Sequence, residues 1–386
     1  LPDESGALTK MYTSSSDQNT GSVPISEQFA EVLQADIRDY VESLRQLDRP
    51  EVAQELRNAR ERMFSDGVIW QSESVQGLGP MVAVDGGNNI LNIGFGTQCF
   101  VLCVRYSLRQ NYDVRISMER LAFEQEEAAA LMYGVRNAME VRDICEADEQ
   151  ESFCIVDNSW VSLLENVNRT LVNYRRNNSD NDQRILEEYL RPMLAQNGHF
   201  INAVRHPRNI AISKAGVSRF YCDRYGQGTL NLLDKVFLLG VLHPGEYTEP
   251  RPLAESGFGQ LNVHTDSLFA SQNDIKEIYN ATLTSTGTDC ICSVYFKPHA
   301  WSPVKRIEFN RELLRNGRAM FSRMLATVRD SMSVPTIHEP LEQFLVDQIV
   351  KRHTGRLPSL YQTVGVANIQ DFETDFSIQL VRRLRT

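Results

Sequence analysis

Asp85 closes the apolar run Met81-Val82-Ala83-Val84 and is followed by Gly86-Gly87. Asp157 closes a second run, Phe153-Cys154-Ile155-Val156. A carboxylate where a buried strand opens to the surface is a common site position in α/β folds. The two glycines let the backbone turn sharply and let a ligand approach closely. Lys214 ends a third short run, Asn209-Ile210-Ala211-Ile212-Ser213. Between the two Asp runs lies a stretch carrying Glu119, Glu124, Glu126 and Glu127, in which Glu124 and Glu127 are three apart and share a helix face. Three carboxylates brought together repel unless cations neutralise them. Hard oxygen donors favour Mg²⁺ or Mn²⁺. A pair of such ions activates water and stabilises a leaving oxygen in phosphodiester cleavage, and a nearby lysine offsets phosphate charge. The bland alternative is that each Asp is a turn former or helix cap and the Glu run a solvated face.

These residues need elements to hold them. Residues 25–66 carry apolar positions at three and four spacing (Phe29, Val32, Leu33, Ile37, Tyr40, Val41, Leu44), broken at Pro50, which predicts helix. Residues 81–85 predict a buried strand entering a turn at Gly86-Gly87, 90–107 more strand, and 115–145 one long helix. Strands follow at 153–156 and 209–213, with helices at 160–175 and 183–195. Residues 290–296 and 303–309 read as paired strands around KPHAWS, 312–332 and 340–353 as helices, and the terminal FSIQLVRRLRT as a strand. This order is a mixed α/β pattern. Residues 1–24, rich in Ser, Thr and Asn, predict a flexible tail, 25–75 a helical region, and 76–386 the main domain.

The chain has 386 residues and a net charge of −10, which argues against a polyanion binder held by bulk charge but leaves room for a local positive cleft. Only seven of the 40 basic residues are Lys; the rest are Arg, whose planar fork suits phosphate. His206 sits in a basic loop with Arg205 and Arg208, ahead of Lys214. These two Arg and Arg219 are candidate strand contacts. No apolar run of membrane-spanning length occurs, and the first residues lack the apolar core of a signal peptide, so a cytoplasmic location is expected. The seven Cys mostly fall in apolar runs and predict buried reduced thiols, and Cys290-x-Cys292 has no second pair at zinc spacing. No P-loop is present, so if the protein acts processively on duplex DNA the motor must come from a partner.

The segments MVAVDGGNN, MERLAFEQEEAAAL, FCIVDNSW, NIAISKAG and VYFKPHAWSPVKRIEF resemble, in this order, the motifs of NurA nucleases, over about residues 80 to 360. The resemblance implies an α/β fold: a ribonuclease H-like mixed sheet flanked by helices, here with an N-terminal helical extension. It implies a Mn²⁺- (or Mg²⁺-) dependent nuclease, with two ions, acting on DNA ends 5′ to 3′ and on single strands. It also implies a homodimer working with a HerA-type hexameric ATPase in repair or antiviral defence. Carried over by position, Asp85 and Asp157 match the motif acids and Lys214 the basic residue. Glu127 is preferred for the helix acid, with Glu124 the alternative. Asp347 after Pro340-Leu341 fits the last metal contact loosely, with His338 as competitor. Asp157-Asn158-Ser159 departs from the family's Asp-Gly-Ser. That keeps open a second reading, a catalytically decayed adaptor or DNA-end clamp for an ATPase ring.

Overall fold

A computed structural model describes residues 49–93, 96–108, 110–121, 125–146, 152–177, 184–195, 198–213, 218–228, 230–253, 290–315 and 318–369. The chain divides into two compact units, residues 1–54 and 55–386, and nearly all described residues belong to the second. In chain order the elements are α1 (Pro50–Ser65), β1 (Ile69–Gln71), β2 (Val82–Ile93), β3 (Gly96–Ser107), β4 (Gln110–Leu121), α2 (Gln125–Cys145), β5 (Cys154–Val156), α3 (Trp160–Asn177), α4 (His199–Arg205), β6 (Asn209–Ser213), α5 (Phe220–Tyr225), α6 (Asp234–Val241), β7 (Glu246–Thr248), β8 (Arg251–Pro252), β9 (Ile291–Phe296), β10 (Lys305–Asn310), α7 (Ala319–Ser331) and α8 (Leu341–Ile369). A π-helical turn, Leu186–Leu190, leads into α4 through Arg191–Leu194.

Among the described residues the strands form one mixed sheet ordered β1-β7-β9-β10-β6-β5-β2-β3-β4, with β8 pairing β9. β2, β3 and β4 are an antiparallel meander; β5 lies parallel to β2 and β6 parallel to β5. Strand alternation sends Val82 and Val84 to one face, under α2, α3 and α4, and Met81 and Ala83 to the other, under α7 and α8. Helices on both faces explain why β5 and β6 are buried throughout. The chain thus has the mixed sheet flanked by helices expected of a ribonuclease H-like core. The C-terminal segment expected as a strand, residues 376–386, lies outside the described residues, as do 1–48.

Two expectations are corrected. β2 does not turn at Gly86-Gly87 but runs on to Ile93, paired residue by residue with β3. The expected helix from 115 begins only at Gln125, because Val114, Ile116 and Met118 alternate and pair with β3. Glu119 is therefore on a strand, opposite Cys99. The seven cysteines are free thiols, all buried except the half-buried Cys145.

Candidate active site

The site begins with a register. In the parallel pair β2–β5, Val84 is level with Val156. The next residue on each strand's chain is an acid, so Asp85, within β2, and Asp157, just past the end of β5, sit side by side, about one strand spacing (~4.8 Å) apart. Both are partly exposed there.

The two glycines after Asp85 set how closely the flanking helices approach. A Cβ on Gly86 would lie 2.6 Å from Glu140 Oε1 and 2.6 Å from Arg136 Cγ, both on α2. A Cβ on Gly87 would lie 2.6 Å from Val350 Cγ1 and Thr354 Cγ2, both on α8. Alternation assigns one glycine to each face, so α2 and α8 both close onto β2 just past Asp85. A second close approach seats α2 against α3, where a Cβ on Gly134 would overlap Thr170. The glycines serve helix packing in a straight strand and not a turn.

Through these gaps each helix brings an acid. Glu140 is buried on α2, 3.3 Å from Arg136 Nε. Asp347 of α8 holds Lys351 Nζ at 2.7 Å. Burial first, and then repulsion from Glu140 and Asp157, push the Asp85 carboxyl up to about 8. Arg136 opposes this and Asp347 adds to it. Glu140 is pushed up to about 7 by burial, opposed by Arg136, raised by Asp157, lowered by the Gly86 N–H and raised by Asp143. The Gly86 N–H also donates to Asp85 Oδ1 at 2.9 Å, so one amide serves two carboxylates. Four acids from β2, α2, the end of β5 and α8 are thus electrostatically coupled.

The helix acid here is Glu140. Glu127 lies on the same helix thirteen residues earlier, about 20 Å of rise away. Glu124 and Lys214 lie outside the described residues. His338 is exposed just before α8, whose residue Glu342 accepts the N–H of Met81 beside the start of β2. Asp347, further along α8, is the acid of that helix that acts on the Asp85 carboxyl. Arg208 directly precedes β6, and its carbonyl accepts from Cys154 N–H at the entry of β5, which places Arg205 and Arg208 at the far end of the sheet from the acids. Arg219 precedes α5 and is ion-paired with Asp223 at 2.9 Å.

Several residues at the acid end escaped the sequence reading. Glu140 was masked by the Glu cluster at 124–127. Its signal is an acid inside the apolar stripe of α2, beside the buried Ala138 and Met139. On β10, buried Glu308 accepts the Trp160 N–H at 3.0 Å at the start of α3 and lies 3.1 Å from buried Arg306. Asn158 Oδ1 accepts the Ser159 N–H at 2.9 Å, so the residue departing from Asp-Gly-Ser shapes the turn between Asp157 and α3. Lys235 of α6 donates to the carbonyl of Ser213.

Among the described residues no three Asp, Glu, His or Cys side chains are gathered at ion-binding distance. The donor set nonetheless fits a divalent cation in kind. It is all hard oxygen, and its two most buried members carry a charge cost that a cation relieves.

No family model matches the sequence, and no curated protein matches it. Among solved structures the chain is similar to the NurA nuclease from Sulfolobus solfataricus, with a TM-score of 0.54 at 12% identity over 90% of this chain and 99% of that one. It is also similar to a further NurA crystal structure, with a TM-score of 0.48, 10% identity, and 92% and 100% coverage. A structure of NurA bound to dAMP and manganese gives 0.48, 10%, and 92% and 99%. The chain has a NurA-like fold.

Proposed function

We propose that this chain is a divalent-metal-dependent nuclease that hydrolyses phosphodiester bonds in DNA. The observation that carries the reading is the Val84–Val156 register. It sets Asp85, within β2, beside Asp157, at the end of β5, while Glu140 and Asp347 act on Asp85 from α2 and α8 on opposite faces.

In this reading Asp85, Glu140, Asp157 and Asp347 hold Mn²⁺ or Mg²⁺. Such an ion supplies Lewis-acid stabilisation of charge on the phosphate and lowers the pKa of water. The protein's own contribution is arrangement. The Gly86 N–H orients Asp85 and Glu140, Arg136 holds Glu140 toward the strand, and Lys351 holds Asp347. Lys214 takes the phosphate-facing role implied by the motif NIAISKAG. The motif resemblance supports the finer terms: 5′-to-3′ action at DNA ends, cleavage of single strands, a homodimer, and a HerA-type ATPase as the motor this chain's sequence lacks.

The test is cleavage of end-labelled single-stranded and duplex DNA with Mn²⁺ or EDTA. Wild type and Glu127→Gln are expected to cleave alike, within about threefold, whereas Asp157→Ala and Glu140→Gln lose 100-fold or more as metal ligands. Full cleavage by a folded Glu140→Gln or Asp157→Ala variant refutes this site. The adaptor reading rests on Asp157-Asn158-Ser159, which departs from the family's Asp-Gly-Ser, and predicts DNA binding without cleavage by the wild type in Mn²⁺.

A further inference from the structure

A group of cations gathers at the same end of the sheet as the acids, two strands further along. Lys305 and Arg306 open β10, and Arg306 is paired with Ser213, the last residue of β6. Lys235, the second residue of α6, reaches across to donate its ammonium to the Ser213 carbonyl. That bond sets the Lys235 ammonium over the backbone position opposite Arg306 and one residue from Lys305. Arg306 and Lys305 are buried neighbours on β10 whose side chains alternate to opposite faces, with Arg306 3.1 Å from Glu308; Lys235 is partly exposed.

The electrostatics agree with this placement. Burial, then Lys305, then Arg306 press Lys235 down to about 8, while Glu308 and Asp157 pull it up. Lys235 therefore feels Asp157, an acid of the proposed catalytic group, as well as the two cations of β10. Like charges held this close repel, and an anion seated against them relieves the repulsion. A lysine ammonium offers phosphate a compact point charge.

We infer that Lys235 grips a backbone phosphate of the nucleic-acid strand beside Asp157, on the side away from Asp85, with Lys305 and Arg306 of β10 adding to the positive potential there. This rests on the nuclease reading for the identity of the anion. The order β2-β5-β6-β10 puts the group two to three strand spacings, ~10–14 Å, from Asp85. Lys235 thus acts on a phosphate near the scissile one and not on the reacting bond.

The experiment is fluorescence anisotropy of a labelled single-stranded oligonucleotide with the full chain in EDTA, titrated with salt. Lys235→Gln is expected to weaken binding about tenfold at low salt, as loss of a charged hydrogen bond does. It is also expected to reduce the slope of log K against log salt by ~0.7, and Lys235→Arg restores most of both. Unchanged affinity and slope in a folded Lys235→Gln variant overturn the inference, as does a wild type that does not bind the oligonucleotide. Should the variant not fold, acetylation of wild-type lysines read by peptide mass spectrometry replaces it. Protection of Lys235 by the oligonucleotide supports the inference, and no protection overturns it. Cleavage by the wild type in Mn²⁺ is scored separately. A wild type that binds through Lys235 without cleaving refutes the nuclease reading alone.

Discussion

Replacing Asp85 by Asn is expected to make the metal-free protein more stable. Burial and the surrounding acids raise the folded-state pKa of Asp85 from an ordinary 3.8 to about 8. A raised folded pKa means the folded state retains a proton that the unfolded chain releases. Stability is thus undiminished below the unfolded value and falls as pH climbs from there toward 8. Taken whole, a shift of this size from 3.8 to about 8 corresponds to ~5–6 kcal/mol at 1.36 kcal/mol per unit. Asp85 is partly exposed and shares the repulsion with Glu140, so about half, ~2–3 kcal/mol, is the appropriate magnitude at pH 8. At pH 5 only the first unit has accumulated, and the same discount leaves ~0.5–1 kcal/mol. The assay is thermal unfolding by circular dichroism in EDTA at pH 5, 7 and 8. Asp85→Asn is expected to melt ~4–6 °C above wild type at pH 8, at roughly 2 °C per kcal/mol for a chain of this length, and only ~1–2 °C above it at pH 5. Saturating Mn²⁺ should stabilise wild type and narrow or reverse the gap. A variant that melts below wild type at pH 8, or a gap that does not grow with pH, refutes the claim that Asp85 is held at an electrostatic cost. It would make the residue an ordinary structural acid.

Two further outcomes follow from the packing. Gly86→Ala drives a methyl into Glu140 and Arg136, so it should cost ~1–3 kcal/mol in urea unfolding and weaken Mn²⁺ binding in calorimetry. Gly355→Ala on α8, which meets nothing within 4 Å, should gain up to ~1 kcal/mol and leave Mn²⁺ binding unchanged. Arg60 clasps both oxygens of Glu246 at 2.6 and 2.7 Å and also donates to the Val241 carbonyl. Burial pushes the Glu246 carboxyl up, but Arg60 and the His243 N–H hold it below its ordinary value. That stabilisation is present above the unfolded carboxylate pKa and is lost as pH falls through the lowered folded one. Arg60→Ala should therefore cost ~2–4 kcal/mol at pH 7 and less at pH 3 by urea midpoints, since it leaves a buried carboxylate short of partners.

The local signals fared best where one face of an element decides its structure. The apolar runs ending at Asp85, Asp157 and Ser213 became the adjacent strands β2, β5 and β6, because continuous apolar residues can be buried only in a strand covered on both faces. The same patterning marked α3, β9, β10 and α7. It failed at residues 115–121, where the alternating residues of β4 lie inside the span expected as helix, and at Gly86-Gly87, which continue β2 and make no turn. In the second case the glycines answer to contacts with residues fifty and more than 260 positions away, on α2 and α8, which no local pattern contains.

The candidate site divides the same way. Asp85 and Asp157 were legible because each ends its own apolar run, and an apolar run is a local property. The places of Glu140, Asp347 and Lys235 in the proposed site depend on tertiary packing. Glu140 is singled out among the acids of α2 because Gly86 lets that turn of the helix touch β2. Asp347 is singled out over His338 because α8 runs along β2 from Met81 toward Gly87. Lys235 is singled out because its ammonium lands on the end of β6, across a gap of 22 residues. The sequence by itself determined which buried apolar runs close on an acid. The tertiary structure decided which helical acids and cations reach them, because side-chain proximity across a sheet depends on register and helix approach and not on spacing along the chain.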